Sequence, residues 1–366
     1  MDITAAVISE IGADFTIETV QLAEPAADEV VVAIAGVGLC HTDLAVRHGH
    51  LPFPFPAVLG HEGSGTVTAI GHAVTKVAPG DKVVLSFNSC GICPQCKDDA
   101  PGYCPSFAPL NFGGGRVDGT SPITRDGAPL GSEFFGQSSF ASHAIAHERN
   151  VVKVANDAPL ELLGPLGCGV QTGAGSVLNS LDCQPGSSLL VVGGGAVGLS
   201  AVMAAAARGV ETVIVLETYE IRRQLALELG ATHVLDPADG PLSEQVRAIV
   251  PAGVNYAIDT VAIADVLGEV VLSMTQRGTV VLLGVPSNPE ATLPLPLLYC
   301  QGLGLRIIGV VEGDSNPDTF IPELLEMHRR GQLPLEKLIT TFPFEQLNEA
   351  IAQQHRGDVL KVVLTP

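Results

Sequence analysis

The sequence predicts an α/β protein in two parts, an irregular β-rich domain and a doubly wound parallel sheet. Three observations carry that reading. The length of 366 residues suits about two domains. The first third is cut into short, Val-rich alternating runs by Gly and Pro, as in an irregular barrel. Near Pro185 the texture changes to apolar strands alternating with helical stretches, the order that builds a parallel sheet.

Taken in order, Glu29–Val30–Val31–Val32–Ala33–Ile34 and Gly65–Thr66–Val67–Thr68–Ala69–Ile70 typify the early strands. Ser188–Leu189–Leu190–Val191–Val192 is a strand apolar on both faces, which a parallel sheet covers on both sides. An Ala-rich helix from Val197 to Arg208 follows, then the strand Thr212–Val213–Ile214–Val215–Leu216 and a helix from Ile221 to Leu229. Tyr256–Ala257–Ile258–Asp259 and Thr279–Val280–Val281–Leu282–Leu283 continue the series. From about Val310 the pattern is mixed again, with a helix at Ile321–Arg330 and a closing strand Leu360–Lys361–Val362–Val363–Leu364. The β-rich domain is therefore expected over 1–169 and 310–366, and the parallel sheet over 170–309.

Composition removes several classes of function. A net charge of −20 argues against nucleic acid, whose phosphates need clustered Lys and Arg. The chain is apolar, with a mean hydropathy of +0.35, yet its longest apolar stretch, Leu189 to Ala207, is interrupted by Gly193, Gly194, Gly195 and Gly198. No membrane span is expected from it. Met1–Asp2–Ile3–Thr4 has no basic run, so no secretory signal is expected and the protein is expected in the cytoplasm. Four of the eight cysteines then sit within fifteen residues, which in a reducing compartment reads as metal binding rather than disulfides.

The first chemical motif is Gly193–Gly194–Gly195–Ala196–Val197–Gly198, a G-x-G-x-x-G run. Alone it is weak in a chain with 41 glycines. A strand before it, a helix after it and Glu217 at the end of the next strand make it a dinucleotide-binding fingerprint. Gly193 permits the tight turn, Gly195 lets the backbone approach the pyrophosphate, and Gly198 allows close helix–strand packing. Val197 lies in the first helical turn, whose N–H groups face the phosphates. Glu217 is expected to accept hydrogen bonds from the adenosine ribose and to repel a 2′-phosphate, which favours NAD over NADP.

The second motif is Cys90, Cys93, Cys96 and Cys104, spaced C-x2-C-x2-C-x7-C among turn formers such as Gly91, Pro94, Gly102 and Pro105. Four thiolates with no open position suit a structural tetrahedral zinc. An iron–sulfur cluster is the rival, but the bacterial ferredoxin run has three residues before its last Cys, not seven. A third, dispersed group comprises Cys40–His41–Thr42–Asp43, His61–Glu62 and Cys168. Nothing in their spacing shows that they meet, and a lone Cys or His is usually core. If they do meet, a Cys2His set leaves zinc one open position, as catalysis requires.

Together, Cys40–His41–Thr42–Asp43, Gly60–His61–Glu62–Gly63, the four-cysteine stretch and the glycine fingerprint resemble the zinc-containing medium-chain alcohol dehydrogenases over nearly the whole chain. Within that family, the run from Glu161 to Gly175, Ser138–Ser139–Phe140–Ala141 and Gly309–Val310–Val311–Glu312–Gly313 resemble the benzyl- and aryl-alcohol dehydrogenases. The resemblance implies a GroES-like catalytic domain beside a Rossmann domain. It also implies two zinc ions per chain, NAD as cofactor, a small alcohol or aldehyde as substrate, and a homodimer or homotetramer. Cys40, His61 and Cys168 are implied as catalytic zinc ligands, with Asp43 orienting His61 and Glu62 behind the metal. Thr42 is implied as the hydroxyl that takes the alcohol proton. His41 and Lys361 match positions that hold the pyrophosphate, and Arg222 a basic position beside the ribose.

One departure concerns the proton route. The family's relay histidine lies five residues after the first zinc cysteine, and here that residue is Ala45. His48 and His50 are nearby in sequence, either as substitutes or as ordinary loop residues, and water is another carrier. By position Phe87, Phe134, Leu283, Val285 and Val311 are candidates to line an apolar substrate pocket, or else to be core. Two other functions compete. A thiol-dependent formaldehyde dehydrogenase would need basic pocket groups, for which Arg47 is the nearby candidate. A non-catalytic NAD-binding protein would not need the full ligand set that is present.

Overall fold

The computed structural model describes residues 1–288, 290–293 and 295–366. It divides into two compact units, one made of 1–168, 315–326 and 334–366, the other of 169–314 and 327–333.

The first unit holds two sheets. A five-stranded sheet runs in the order Ala57–Val58, Asp2–Ile8, Phe15–Leu22, Ile123–Arg125, Ala128–Pro129. A seven-stranded sheet runs Val151–Lys153, Lys82–Leu85, Gly63–Ile70, Glu29–Gly38, Lys361–Thr365, Ile339–Pro343, with His143–His147 also paired to Glu29–Gly38. Inward side chains of the two sheets, among them Val7, Val20 and Val32, form one core together with Phe134 and Phe140 from the connecting segment. The strand Glu29–Gly38 is irregular, with register shifts at Val31/Val32 and Ile34/Gly36. Such shifts bend a strand and raise its twist.

The second unit is a six-stranded parallel sheet in the order His233–Leu235, Thr212–Leu216, Ser188–Val192, Val254–Asp259, Met274–Leu282, Arg306–Gly309. The sequence order reverses at Ser188–Val192, the central first strand. Ligands bind beyond the carboxyl ends of strands at such a switch point. The helix Ala196–Arg208 leaves that strand through Gly193–Gly195. No helix among the described residues is long and apolar enough to cross a membrane.

The structure differs from the sequence expectation at several boundaries, among them residues 327–333, which belong to the parallel-sheet unit. The helix expected at Ile321–Arg330 begins at Pro317, where Asn316 Oδ1 accepts the Asp318 N–H at 3.1 Å. The chain returns to the first unit at Ser315 rather than at 310. Residues 310–314 stay with the parallel-sheet unit because Gln171 Nε2 donates to Glu312 at 3.0 Å, and a Cβ on Gly175 would meet Gly313 O at 2.3 Å.

Candidate active site

Sheet register explains how residues far apart in sequence meet. Val37 pairs with Gly63, and Ser64 with Val84, so the ends that lead to Cys40, His61 and Ser86 lie side by side. Ser86 Oγ donates to Gly167 O at 2.7 Å, which ties the residue before Cys168 to the same edge. One ligand atom each from Cys40, His61, Glu62 and Cys168 lies within 4.8 Å of the others. His61 and Glu62 are almost wholly buried, at 1% and 0% exposure.

Asp43 sets the orientation of this group. It is fully buried; its Oδ2 accepts the Cys40 N–H at 3.0 Å, and its Oδ1 accepts the Gly60 N–H at 3.0 Å and faces His61 Nδ1 at 3.1 Å. Both Asp43 oxygens already accept backbone N–H groups, so His61 Nδ1 is the donor of this pair and Nε2 is the nitrogen left to face a metal. His61 Nε2 is buried and has no hydrogen-bond partner among the described residues. Buried polar atoms are normally satisfied. An imidazole nitrogen without a partner, facing two sulfurs, fits a zinc ion.

The electrostatics favour a cation at the same point. A hydrogen bond with Cys168, helped by His61, holds the Cys40 thiol well below the ordinary thiol range. Burial opposes charge on His61, but Asp43 and Cys40 outweigh it and push the imidazole well above its usual value. Burial likewise pushes Glu62 up, against the pull of Lys361. The pocket of donors is thus tuned to face positive charge.

Glu62 forms an ion pair with Lys361, whose Nζ also donates to Leu39 O at 2.9 Å. Lys361, expected at the pyrophosphate, is only 3% exposed, and its ammonium is turned inward to the acid behind the ligand group. Gly38 is required here, since a Cβ would collide with the Glu62 carboxylate. Thr42 Oγ1 lies 3.7 Å from Cys40 Sγ, beside the donor set. His41 is exposed on the first turn of the helix His41–Arg47, and Ala45 is buried on its inner face. His48 and His50 are exposed, with ring centres 5.9 Å apart.

Cys90, Cys93, Cys96 and Cys104 also bring their sulfurs within 4.8 Å of one another. Backbone N–H groups of Cys90, Cys93 and Cys96 donate to the sulfurs of Cys104, Cys90 and Cys93, each at 3.4 Å. Backbone donors from Ile92 and Cys93 lower the Cys90 thiol to about 6. Three sulfurs held by N–H donors, with Cys96 Sγ beside them, fit a closed zinc site.

In the second unit the fingerprint adopts the geometry expected of it. Gly193 has φ 97°, a left-handed turn, and a Cβ on Gly198 would strike Gly193 O. A Cβ on Gly195 would meet nothing within 4 Å, leaving open space in front of the helix N-terminus and Val197. Glu217 is 7% exposed; its Oε2 accepts the Gly194 N–H at 2.7 Å and its Oε1 the Tyr219 N–H at 2.9 Å and the Thr218 hydroxyl at 3.0 Å. The Arg222 guanidinium lies over the Tyr219 ring at 4.7 Å.

The pocket candidates separate. Phe134 is completely buried, edge-on to His61 at 5.2 Å and packed against Phe53, Phe112 and Phe135. It is therefore core that backs the ligand group, not lining. Phe87 is also buried, against Phe107. Leu283 and Val311 are half-buried and Val285 is exposed, all in the second unit. Sequence reasoning missed Phe135, whose ring stacks on His61 at 4.4 Å, and Gln137, considered below.

Comparison with known proteins agrees with this geometry. Residues 26–156 match the alcohol dehydrogenase GroES-like domain, and residues 196–328 match the zinc-binding dehydrogenase family. Geraniol dehydrogenase of Castellaniella defragrans is 49% identical over 362 residues, 98% of this chain and 96% of that protein. Benzyl alcohol dehydrogenase of Acinetobacter calcoaceticus is 40% identical, with a TM-score of 0.96 over 100% of this chain and 99% of that one. An alcohol dehydrogenase zinc-binding domain protein of Burkholderia ambifaria is 45% identical, with a TM-score of 0.97 over 100% of this chain and 99% of that one.

Proposed function

The chain belongs to the zinc-containing medium-chain alcohol dehydrogenases, and from that premise we propose that it reversibly oxidises primary aromatic or allylic alcohols to aldehydes with NAD. The observation that carries the reading is the meeting of Cys40, His61 and Cys168 around a buried imidazole nitrogen with no partner. Substrate class is supported by two relatives, one acting on geraniol, an allylic alcohol, and one on benzyl alcohol.

Cys40, His61 and Cys168 would hold a zinc ion, which would supply a Lewis acid of the kind that brings bound water to a pKa near 7. Asp43 fixes the His61 tautomer so that Nε2 presents its lone pair. Thr42 Oγ1, next to Cys40 Sγ, is placed to accept the alcohol proton and hand on its own. Ala45 has no imidazole to receive it, so water is the next carrier. Glu217 spends three of about four acceptor positions on Gly194, Thr218 and Tyr219. It is held rigidly as an acceptor for a ribose hydroxyl, and its charge disfavours a 2′-phosphate. The thiol-adduct alternative is disfavoured, since Arg47 is committed to Asp14 at 2.7 Å and Ala13 O at 2.8 Å.

A panel of benzyl alcohol, cinnamyl alcohol, geraniol and ethanol with NAD and NADP tests the proposal. Burying a ring or an isoprenoid chain provides several kcal/mol that ethanol lacks, and about 1.4 kcal/mol is tenfold. We expect kcat/KM for the aromatic and allylic alcohols to exceed that for ethanol by at least about a hundredfold, with NAD preferred. Ethanol matching benzyl alcohol would overturn the substrate class, and preference for NADP the cofactor assignment.

A further inference from the structure

We propose that Gln137 is a positioning residue for the metal ligands, one neutral amide that fixes the backbone on both sides of Glu62, directly after His61, and couples it to the run holding Cys168. The proposal rests on the zinc reading above. Gln137 is 2% exposed. Its Nε2 donates to His61 O at 2.8 Å and to Ser86 O at 3.2 Å. Its Oε1 accepts the Gly63 N–H at 3.0 Å. The amide thus grips the chain immediately after His61 and again after Glu62. Through Ser86, whose hydroxyl donates to Gly167 O at 2.7 Å, the same amide is linked to the residue before Cys168.

The segment carrying Gln137 is shaped for this task at a conformational cost. Glu133, Phe135, Gly136 and Ser138 all have positive φ, at 55°, 52°, 65° and 49°. Non-glycine residues in that region are strained and persist only when their surroundings enforce them. Here Ser138 Oγ donates to Val58 O at 2.7 Å and accepts the Phe134 N–H at 3.0 Å. Phe135 lies nearly flat on the His61 ring, at 23° and 4.4 Å. Phe135 therefore limits the tilt of the imidazole, and Gln137 limits the movement of its backbone.

No other side chain type does the same work in that position. Both N–H groups meet carbonyls and the oxygen meets an N–H, so the amide is matched to its partners. Gln137→Met keeps length and volume but leaves one buried N–H and two buried carbonyls without it. Gln137→Glu keeps the acceptor for Gly63 but turns an oxygen towards the carbonyls of His61 and Ser86. Partners that orient metal-ligating histidines typically change metal affinity tenfold to a hundredfold when removed.

The test reads metal rather than turnover. Holoenzyme of the wild type, Gln137→Met and Gln137→Glu is titrated with a chelator, and zinc retained per chain is measured. A cobalt(II)-exchanged sample of each reports ligand geometry through its visible absorption. We expect both variants to lose the zinc of Cys40, His61 and Cys168 at about tenfold or more lower chelator concentration, with an altered cobalt spectrum. The zinc of the four-cysteine stretch stays in place. Should Gln137→Met not fold, Gln137→Glu alone decides. Unchanged zinc retention and an unchanged cobalt spectrum, even with a lowered melting temperature, overturn the proposal by making Gln137 merely structural. A wild type holding no zinc at these residues overturns the underlying reading instead.

Discussion

Asp43→Asn separates an orienting carboxylate from a merely polar one. Asp43 serves three donors, the Cys40 and Gly60 N–H groups and His61 Nδ1, from a fully buried position. An amide oxygen in place of Oδ1 retains Gly60 and His61 but sets the NH2 against the Cys40 N–H. The opposite orientation sets the NH2 against Gly60 and drives the imidazole proton to Nε2, where it blocks metal ligation. In the better case one buried donor loses its acceptor, which costs about 1–3 kcal/mol. Zinc affinity should fall about tenfold to a hundredfold, as for other carboxylates that orient ligand histidines. Asp43→Ala strands three donors at once and risks the whole fold, whose total stability is only about 5–15 kcal/mol. Thermal melting and chelator competition on Asp43→Asn read the two effects. A variant that melts and binds zinc like the wild type would refute the reasoning.

Three further outcomes are expected. Glu217→Ser should narrow the preference for NAD over NADP in kcat/KM; an unchanged preference would remove Glu217 from cofactor choice. Thr42→Ala should abolish most turnover, because no neighbouring hydroxyl then receives the proton, whereas His48→Ala should do little. A large loss confined to His48→Ala would assign the relay to that histidine. Glu133 is pushed up to about 7 by burial and by Glu29, while Arg116 is occupied by two 2.7 Å bonds to Glu29. Its folded form binds the proton more tightly than the unfolded chain does. Its contribution is therefore fully present below the unfolded value near 4.5 and is lost as pH rises through about 7, by at most about 3 kcal/mol. Glu133→Gln should raise the melting temperature at pH 8 and progressively less towards pH 5; an equal gain at both would rule out titration.

What the sequence revealed follows the range over which each feature is encoded. The four-cysteine stretch and the glycine fingerprint are local, so spacing carried the first, and spacing with the flanking strand and helix carried the second. Ser188–Val192 and Thr212–Leu216 are apolar on both faces, and their spans were legible to the residue. Cys40, His61 and Cys168 are joined only by strand register, and family resemblance rather than spacing united them. The helix at Pro317 had a signal, Asn316 followed by proline, which the expected span Ile321–Arg330 left unused. Phe134 was misjudged because a sequence does not show which way a side chain faces, and it turns inward; the inward turn of Lys361 towards Glu62 was likewise not legible. Gln137 was illegible because a single amide has no motif; its role exists only in its three partners.

Zinc content of the purified wild type and of Cys40→Ser decides whether the two cysteine-rich sites hold metal. The wild type should carry about two zinc per chain. Cys40→Ser should retain one, on Cys90, Cys93, Cys96 and Cys104, while staying folded and losing nearly all alcohol oxidation. Iron in place of zinc, or a Cys40→Ser protein that keeps both ions, would contradict this assignment.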